Sequence, residues 1–156
     1  MANHMPEGAS PLSPYLTVNN TGAAIDFYKR AFGAEEVMSI NVPDTDRVMH
    51  AEIRIGGTIV MLSDENKDWG TSTVETLGGS PVSLHIYVED ADATVAQAIE
   101  AGAELAHPMA EMFWGDRMGS VICPFGFKWS VATHVRDVDP ADFEAGARAM
   151  MAEMGG

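Results

Sequence analysis

Three side chains suited to acid–base or metal chemistry lie in strand-like stretches of the sequence. His50 and Glu52 alternate with apolar residues in Val48–Ile55, and His85 does the same in Pro81–Val88. Imidazole and carboxylate groups transfer protons near neutral pH and also bind divalent metals. We therefore take His50, Glu52 and His85 as candidate catalytic residues. The alternative is that they hydrogen-bond to one another across a sheet and orient no ligand.

The stretch Pro81–Val88 shows how these residues are assigned to one face. Its side chains alternate, with Val82, Leu84, Ile86 and Val88 on one side and Ser83, His85 and Tyr87 on the other. The pattern predicts a half-buried strand whose second face is polar and aromatic. Asp90 follows at a position where it can cap the next helix.

The same parity argument applies to every predicted strand. If the aliphatic faces pack on helices, the opposite faces mix aromatic, apolar and polar groups, as small-molecule pockets do. Those faces carry Tyr15, Thr17, His50, Glu52, Ile59, Met61, Ser83, His85, Tyr87, Ser130 and Ala132. The expected ligand-binding residues on these faces and nearby are Tyr15, His50, Glu52, Met61, Ser83, His85, Tyr87, Trp114, Arg117 and Ser130.

Some of these assignments have open alternatives. Arg117 is suited to grip an anionic ligand, or it forms a pair with neighbouring Asp116 that fixes a loop. Trp114 and Trp69 are expected either as aromatic walls of the pocket or as core residues. Trp129 lies on the aliphatic face of its predicted strand, and we expect it in the core.

Hydrophobic patterning predicts the order β-α-β-β-β in residues 13–63. A strand near 14–19 is followed by an amphipathic helix over 21–32, which Gly33 ends. Strands follow at 36–41, 48–55 and 58–63, and the turn Gly56-Gly57 joins the last two as a hairpin.

The same order is predicted again in residues 81–135. A strand at 81–88 precedes a helix over 91–101 and strands near 104–107, 119–123 and 128–135. Gly33-Ala34-Glu35 recurs as Gly102-Ala103-Glu104, 69 positions later, and Gly57 matches Gly126 at the same offset. A fixed offset indicates a repeated structural unit. The predicted fold is therefore α+β, with two βαβββ modules.

The remaining segments complete one expected compact domain. Residues 1–12 form a leader that we expect to be poorly ordered, and the polar, glycine-bearing segment 64–80 reads as a linker. Residues 136–156 contain a C-terminal helix that begins near Asp139-Pro140. Its apolar stripe is expected to dock on the body or on a second subunit, and consists of Phe143, Ala147, Met150, Met151 and Met154.

Composition argues against several classes of partner. The 156 residues include nine Lys plus Arg and 23 Asp plus Glu, a net charge of −14. This acidic protein repels nucleic acid and anionic lipid surfaces, so neither is expected as a partner. The sequence has one cysteine and no apolar run near the roughly 20 residues that cross a bilayer, so we expect a cytoplasmic protein.

Several motifs resemble those of a known family. They are AAIDFYKRAFGAEE, MHAEIRIGG, and Gly115-Asp116-Arg117 followed by Pro124-Phe125-Gly126 and Trp129. The chain resembles the PhnB-like branch of the vicinal oxygen chelate superfamily, which includes glyoxalase I, bleomycin-resistance proteins and extradiol dioxygenases. The resemblance covers about residues 13–135. It implies paired modules whose curved mixed sheets form a cup, completed in a homodimer, with the ligand inside.

The resemblance also identifies where a metal ion would bind. Metal-dependent members place one ligand at the start of each module's first strand and a glutamate in each fourth strand. The corresponding residues here are Ser13, Met61, Ser83 and Ser130. Hydroxyl and thioether groups are poor ligands for divalent metals, so we expect no metal at these positions and no cofactor. The branch also usually has a histidine where this chain has Phe127.

Two functions follow from these observations. The first is a small-molecule binding protein of the glyoxalase/bleomycin-resistance type, without the usual divalent metal, acting as a homodimer. The alternative is a lyase, isomerase or dioxygenase of the same superfamily that uses His50, Glu52 and His85, with or without a non-standard metal site. Bound metal and turnover distinguish the two.

Overall fold

Eight strands and four helices follow one another in a computed structural model that describes residues 2–155. The first half contains β1 (Tyr15–Val18), α1 (Thr21–Phe32), β2 (Glu35–Asn41), β3 (Val48–Ile55), β4 (Thr58–Asp64) and the short helix α2 (Val74–Leu77). The second half contains β5 (Ser83–Tyr87), α3 (Ala91–Glu100), β6 (Glu104–Glu111), β7 (Asp116–Ile122), β8 (Lys128–His134) and α4 (Phe143–Met154).

The strands form two mixed four-stranded sheets with the same topology. Their orders are β1-β4-β3-β2 and β5-β8-β7-β6. In each sheet the first strand pairs in parallel and the other pairs are antiparallel. Tyr15 lies opposite Met61 in the first sheet, and His85 lies opposite Ser130 in the second. The predicted α+β fold with a repeated βαβββ order is confirmed.

Local capping explains where α1 and α3 begin and where α1 ends. Asn20 accepts a hydrogen bond from the Ala23 amide at the start of α1, and Asp90 does the same for Ala93 at the start of α3. Gly33 ends α1 with a φ of 67°, a left-handed conformation that glycine adopts at little cost.

One carboxylate joins three elements of the first sheet. Asp64 Oδ1 accepts hydrogen bonds from the Thr21 amide and hydroxyl, both at 2.8 Å. Asp64 Oδ2 accepts from the Val48 amide, also at 2.8 Å. The start of α1 and the start of β3 are therefore both held at the end of β4.

A single hydrophobic core connects the two sheets through α1. Phe27 and Tyr28 of α1 pack against Phe125 and Trp129 of the second unit, with ring centroids 6.4 and 5.3 Å apart. The Trp129 indole donates to the Tyr28 hydroxyl at 3.3 Å. Trp129 is 3% exposed, so its predicted place in the core is confirmed. The helices cover the aliphatic face of each sheet, and the opposite faces are open in part: Tyr15 and Tyr87 are exposed, whereas Ala132, which was predicted on the ligand face, is fully buried.

Two predicted strands are longer than expected. β6 extends to Glu111 and β7 begins at Asp116, whereas the sequence predicted strands near 104–107 and 119–123. Pro108 lies within β6, which is an edge strand, and there its missing amide hydrogen costs no ladder bond. The proline therefore does not end the strand.

The predicted linker 64–80 contains a 3-10 turn at Lys67–Trp69 as well as α2. Trp69 is 55% exposed, so it is not a core residue. Asn66 and Thr73 cap these two short elements with their side chains, which explains why a polar segment folds locally.

The described part of the leader contacts the β3–β4 hairpin. Ser10 Oγ accepts a hydrogen bond from the Ile59 amide at 2.9 Å, and the Gly8 carbonyl accepts one from Arg54 at 3.4 Å. Ile59 is only 2% exposed, so this residue of the predicted ligand face is not open. Met1, in the leader, and Gly156, at the end of the tail, lie outside the described residues.

The C-terminal segment is attached beside the β6–β7 turn. The amides of Val135 and Arg136 both donate to the Gly115 carbonyl, at 2.9 and 3.1 Å. After a 3-10 turn at Pro140–Asp142, α4 places Gly146 against Phe113. Phe143 of the predicted stripe packs against Phe113 with ring centroids 6.4 Å apart, while Met151 and Met154 remain exposed. None of the helices within residues 2–155 is both long and apolar enough to cross a membrane.

Candidate functional site

The open face of the first sheet brings together side chains from three strands. Tyr15 on β1 lies opposite Met61 on β4, and Met61 lies opposite Glu52 on β3. His50 is two residues before Glu52 on the same strand and therefore shares its face. The sequence prediction that these four residues share a face agrees with this register.

Tyr15, His50 and Glu52 form a continuous hydrogen-bonded chain. The Tyr15 hydroxyl lies 2.7 Å from His50 Nδ1, and His50 Nε2 lies 3.0 Å from Glu52 Oε1. The side chains of His50 and Glu52 are 26% and 25% exposed, so solvent reaches both. The sequence placed these residues together, but only the structure shows that Tyr15 is bonded to the histidine.

The open face of the second sheet carries a different set of polar groups. One row crosses its four strands and consists of His85, Ser130, Ser120 and His107. His107 Nδ1 lies 2.7 Å from Ser120 Oγ, and the His85 ring packs edge-on against Tyr87 with centroids 4.8 Å apart. His85 therefore lies on a different sheet from His50 and Glu52. Within one chain, the three candidate catalytic residues are not a single cluster.

Asp116, which sequence reasoning did not select, is the best-connected polar group of the second sheet. It is 2% exposed. Its Oδ2 accepts hydrogen bonds from the Tyr87 hydroxyl at 2.8 Å and from Trp114 Nε1 at 3.0 Å. Its Oδ1 lies 2.8 Å from His134 Nδ1, and His134 Nε2 lies 2.8 Å from Asp137 Oδ1. We call these five residues the Asp116 network.

The Asp116 network changes the protonation of its members. Burial favours the neutral form of Asp116, but donors from His134, Tyr87 and Trp114 outweigh it and hold its pKa below the ordinary value. The hydrogen bonds from His134 to Asp137 and Asp116 raise the pKa of His134. The hydrogen bond to Asp116 raises the pKa of the Tyr87 phenol. The network therefore favours an ionised carboxylate and a protonated imidazole.

The sequence contained a signal for this network. Asp116 and Met118 share one face of β7, whereas Arg117 lies on the other, and His134 has the parity of Ser130 and Ala132 on β8. Extending the strand alternation through the whole of β7 and β8 would have selected Asp116 and His134.

Arg117 does not lie on the open face, which corrects the expectation that it grips a ligand. Its guanidinium pairs with both carboxylate oxygens of Asp92 on α3, at 2.6 and 2.9 Å. The alternative that Arg117 forms a structural pair agrees with this geometry, although its partner is Asp92 and not Asp116. Alternation explains the difference, because consecutive strand residues point to opposite faces.

The positions at which the resemblance places a metal ion do not carry residues that fit a divalent metal. They carry Ser13, Met61, Ser83 and Ser130, which supply three hydroxyls and one thioether without imidazole or carboxylate. The Ser13 hydroxyl is buried and makes no hydrogen bond. Within residues 2–155, no group of three or more His, Cys, Asp or Glu side chains is arranged to hold a metal ion.

A small cavity lies where the two units meet. It has a volume of about 270 Å³. Its walls come from the end of the β3–β4 hairpin, from β5 and from Trp129, and both His85 and Tyr87 line it. Pockets for drug-sized ligands measure about 300 to 1,000 Å³, so this cavity is small for one chain to enclose such a ligand.

Comparison with known proteins agrees with the geometry. Residues 10–131 match the family model of the Glyoxalase/Bleomycin resistance protein/Dioxygenase superfamily. An uncharacterized protein of Mycobacterium tuberculosis is 42% identical over 137 residues, which cover 86% of this chain and 80% of that protein.

Solved structures share the fold. The X-ray structure of an Arabidopsis thaliana gene product has a TM-score of 0.65 at 32% identity and covers 79% of this chain and 98% of that one. A PhnB protein from Bacillus cereus has a TM-score of 0.60 at 15% identity, with 80% of this chain and 99% of that chain covered. At this low identity the second likeness supports the fold alone.

Proposed function

Because this chain belongs to the glyoxalase/bleomycin resistance protein/dioxygenase superfamily, we propose that it binds a small, partly aromatic molecule on the open faces of its sheets. The main observation in support is that aromatic and polar side chains are exposed on the faces of the two sheets opposite the core. Tyr15 is 49% exposed and Tyr87 is 61% exposed. A folded protein gains little stability from aromatic side chains in water, so their exposure favours a binding role.

The proposed ligand-binding set is smaller than the one expected from the sequence. It contains Tyr15, His50, Glu52 and Met61 from the first sheet and Ser83, His85, Tyr87 and Ser130 from the second. The proposed set leaves out Arg117, whose guanidinium pairs with Asp92. Trp114 supports the second face through Asp116. We propose that no metal or other cofactor is needed, since the usual ligand positions lack suitable donors.

We further propose that the working form is a homodimer. Each open face is one half of the expected cup, and the cavity where the two units meet is small, at about 270 Å³. Ile40 on the open side of β2 is 48% exposed, so apolar area remains for a second copy to cover. A place in the PhnB-like branch is part of the same proposal and is supported by the motifs of the sequence.

The hydrogen bond between His50 and Glu52 favours a second candidate function. A histidine beside a carboxylate is the usual arrangement for a general base, as a lyase or isomerase needs. A dioxygenase would additionally need a metal site. His85 would join such a site only if a second copy brought the two sheets face to face.

Native mass spectrometry of freshly purified protein tests the binding proposal. We expect dimers that carry a small organic molecule and no stoichiometric metal. His85→Ala should reduce the bound fraction, whereas Arg117→Ala should leave it unchanged because Arg117 faces α3. Monomers without any adduct, together with monomeric light scattering at micromolar concentration, would refute the proposal.

Calorimetric titration of zinc, nickel and iron(II) into chelator-treated protein separates the two candidates. We expect no stoichiometric sub-micromolar binding. Such binding, if abolished by His50→Ala, would overturn the metal-free proposal and favour the enzyme.

A further inference from the structure

We propose that Tyr15 is the ligand-contacting proton acceptor of the first sheet and that it selects a ligand with a hydroxyl group attached to an unsaturated carbon, such as a phenol or an enol. This inference rests on the proposed function, namely binding of a small molecule on the open faces. It goes further by naming the ligand chemistry and the path of one proton.

The hydrogen-bonded chain sets the direction of each bond. A carboxylate has no hydrogen to donate, so Glu52 Oε1 accepts from His50 Nε2–H across 3.0 Å. When the imidazole is neutral, Nδ1 carries no hydrogen and accepts the Tyr15 O–H across 2.7 Å. Glu52 thereby fixes the tautomer of His50, and His50 fixes the hydroxyl hydrogen of Tyr15.

This direction determines what Tyr15 offers to a ligand. Its only hydrogen is committed to His50, so the phenolic oxygen presents lone pairs alone. The side chain stands on β1, an edge strand, and is half exposed, so a ligand can approach it. A group that only accepts hydrogen bonds gains nothing from this oxygen, whereas a hydroxyl donor does. Met61, opposite Tyr15 on β4, offers an apolar contact for the unsaturated part of such a ligand.

One proton then moves along the chain in a balanced step. The ligand O–H breaks and its proton bonds to the Tyr15 oxygen, while the Tyr15 O–H breaks and its proton bonds to His50 Nδ1. The products are a ligand oxyanion hydrogen-bonded to a neutral Tyr15 and an imidazolium beside the Glu52 carboxylate. Tyr15 contacts the ligand, whereas His50 and Glu52 act through it.

The second exposed tyrosine of the open faces cannot do the same. Tyr87 donates to Asp116 Oδ2, a carboxylate that already accepts from Trp114 and His134. These donors stabilise the ionised form of Asp116, so it resists taking a proton from Tyr87. The two faces therefore differ chemically, and only the first one provides a proton path.

The absorbance of 4-nitrophenol tests the inference, because its anion absorbs at longer wavelength than the neutral molecule. At a pH where the free probe is half ionised, we expect binding to wild type to increase the anion fraction. Tyr15→Phe should bind the probe about tenfold more weakly, the effect of roughly one lost hydrogen bond, and should leave its ionised fraction unchanged. Glu52→Gln should also abolish the shift, because the tautomer is no longer imposed.

The outcomes distinguish this inference from the proposed function. Binding of the probe with no increase in its anion fraction would overturn the proton path while leaving small-molecule binding intact. No binding of the probe to wild type would overturn the ligand class, and native mass spectrometry without any adduct would overturn the proposed function itself.

Nitrogen NMR of the ligand-free protein gives an independent measurement. We expect neutral His50 to carry its hydrogen on Nε2 in wild type and to become a tautomer mixture in Glu52→Gln. His134, on the other sheet, is the internal control, and its signals should stay unchanged in Tyr15→Phe and Glu52→Gln. A hydrogen on Nδ1 of neutral His50 in wild type would overturn the inference.

Discussion

Replacing Asp116 with asparagine should destabilise the protein strongly, although only one non-hydrogen atom changes. The carboxylate accepts three hydrogen bonds, from Tyr87, Trp114 and His134. Hydrogen bonds to a charged acceptor contribute about 1 kcal/mol more than neutral ones, so loss of the charge should cost about 3 kcal/mol over three bonds. The asparagine amide also turns one acceptor into a donor, which opposes the existing donors.

Urea denaturation at fixed protein concentration measures the effect. With a slope of about 2 kcal/mol per M, the midpoint should fall by about 1.5 M without a change in slope. Asp137→Asn is the matched control, because Asp137 is the solvent-exposed end of the same network and its loss should have a much smaller effect. A midpoint change below about 0.3 M in Asp116→Asn would refute the reasoning.

The pH dependence gives the same prediction a second test. The pKa of folded Asp116 lies below its ordinary value, so its contribution is complete above the unfolded pKa of about 3.9 and is lost as pH falls through the folded pKa. The stability difference between wild type and Asp116→Asn should therefore be constant between about pH 5 and pH 6.5, shrink at lower pH, and shrink again as pH rises through the raised pKa of His134. A difference that grows on acidification would contradict the assigned direction.

Three further predictions test other contacts. His134→Asn should destabilise the protein mainly at acidic pH. Because the pKa of His134 is raised in the folded state, its contribution to stability is complete below about pH 6.5 and is lost as pH rises through that folded-state pKa. Chemical denaturation at several pH values measures this. Asp64→Ala should cost about 2 to 4 kcal/mol, since it removes bonds to Thr21 and to the start of β3, and the same denaturation measures it, with an unchanged midpoint refuting the assignment. Gly146→Ala should loosen α4 despite the better helix propensity of alanine, because the new Cβ would lie 2.7 Å from Phe113. Amide hydrogen exchange should become faster in α4 and not elsewhere. Equal or slower exchange in α4 would contradict the contact.

The sequence by itself determined the elements and the faces of this protein. Alternation in Pro81–Val88 placed His85 and Tyr87 on the face opposite Leu84, and helical spacing located α1 and α3. Caps such as Asp90 and turns such as Gly33 marked helix ends because their effects act within a few residues. The repeat of 69 positions indicated that the same unit occurs twice.

The functional contacts were decided by the tertiary structure. Tyr15 and His50 are 35 positions apart and meet because β1 pairs with β4, which in turn pairs with β3. Parity shows that two residues share a face, but the distance between their atoms depends on strand order and register, which long-range pairing sets. His85 was predicted on the same ligand-binding face as His50, but it lies on the second sheet, whereas His50 lies on the first.

Arg117 and Asp116 show most clearly that the sequence alone does not identify side-chain partners. The sequence placed Arg117 beside Asp116, and adjacency suggested a pair, but neighbouring strand residues point to opposite faces. Arg117 consequently reaches Asp92 on α3, while Asp116 collects donors from β5, β8 and the β6–β7 turn. A buried carboxylate is stabilised only by the donors that folding brings around it, and these come from segments that are distant along the chain.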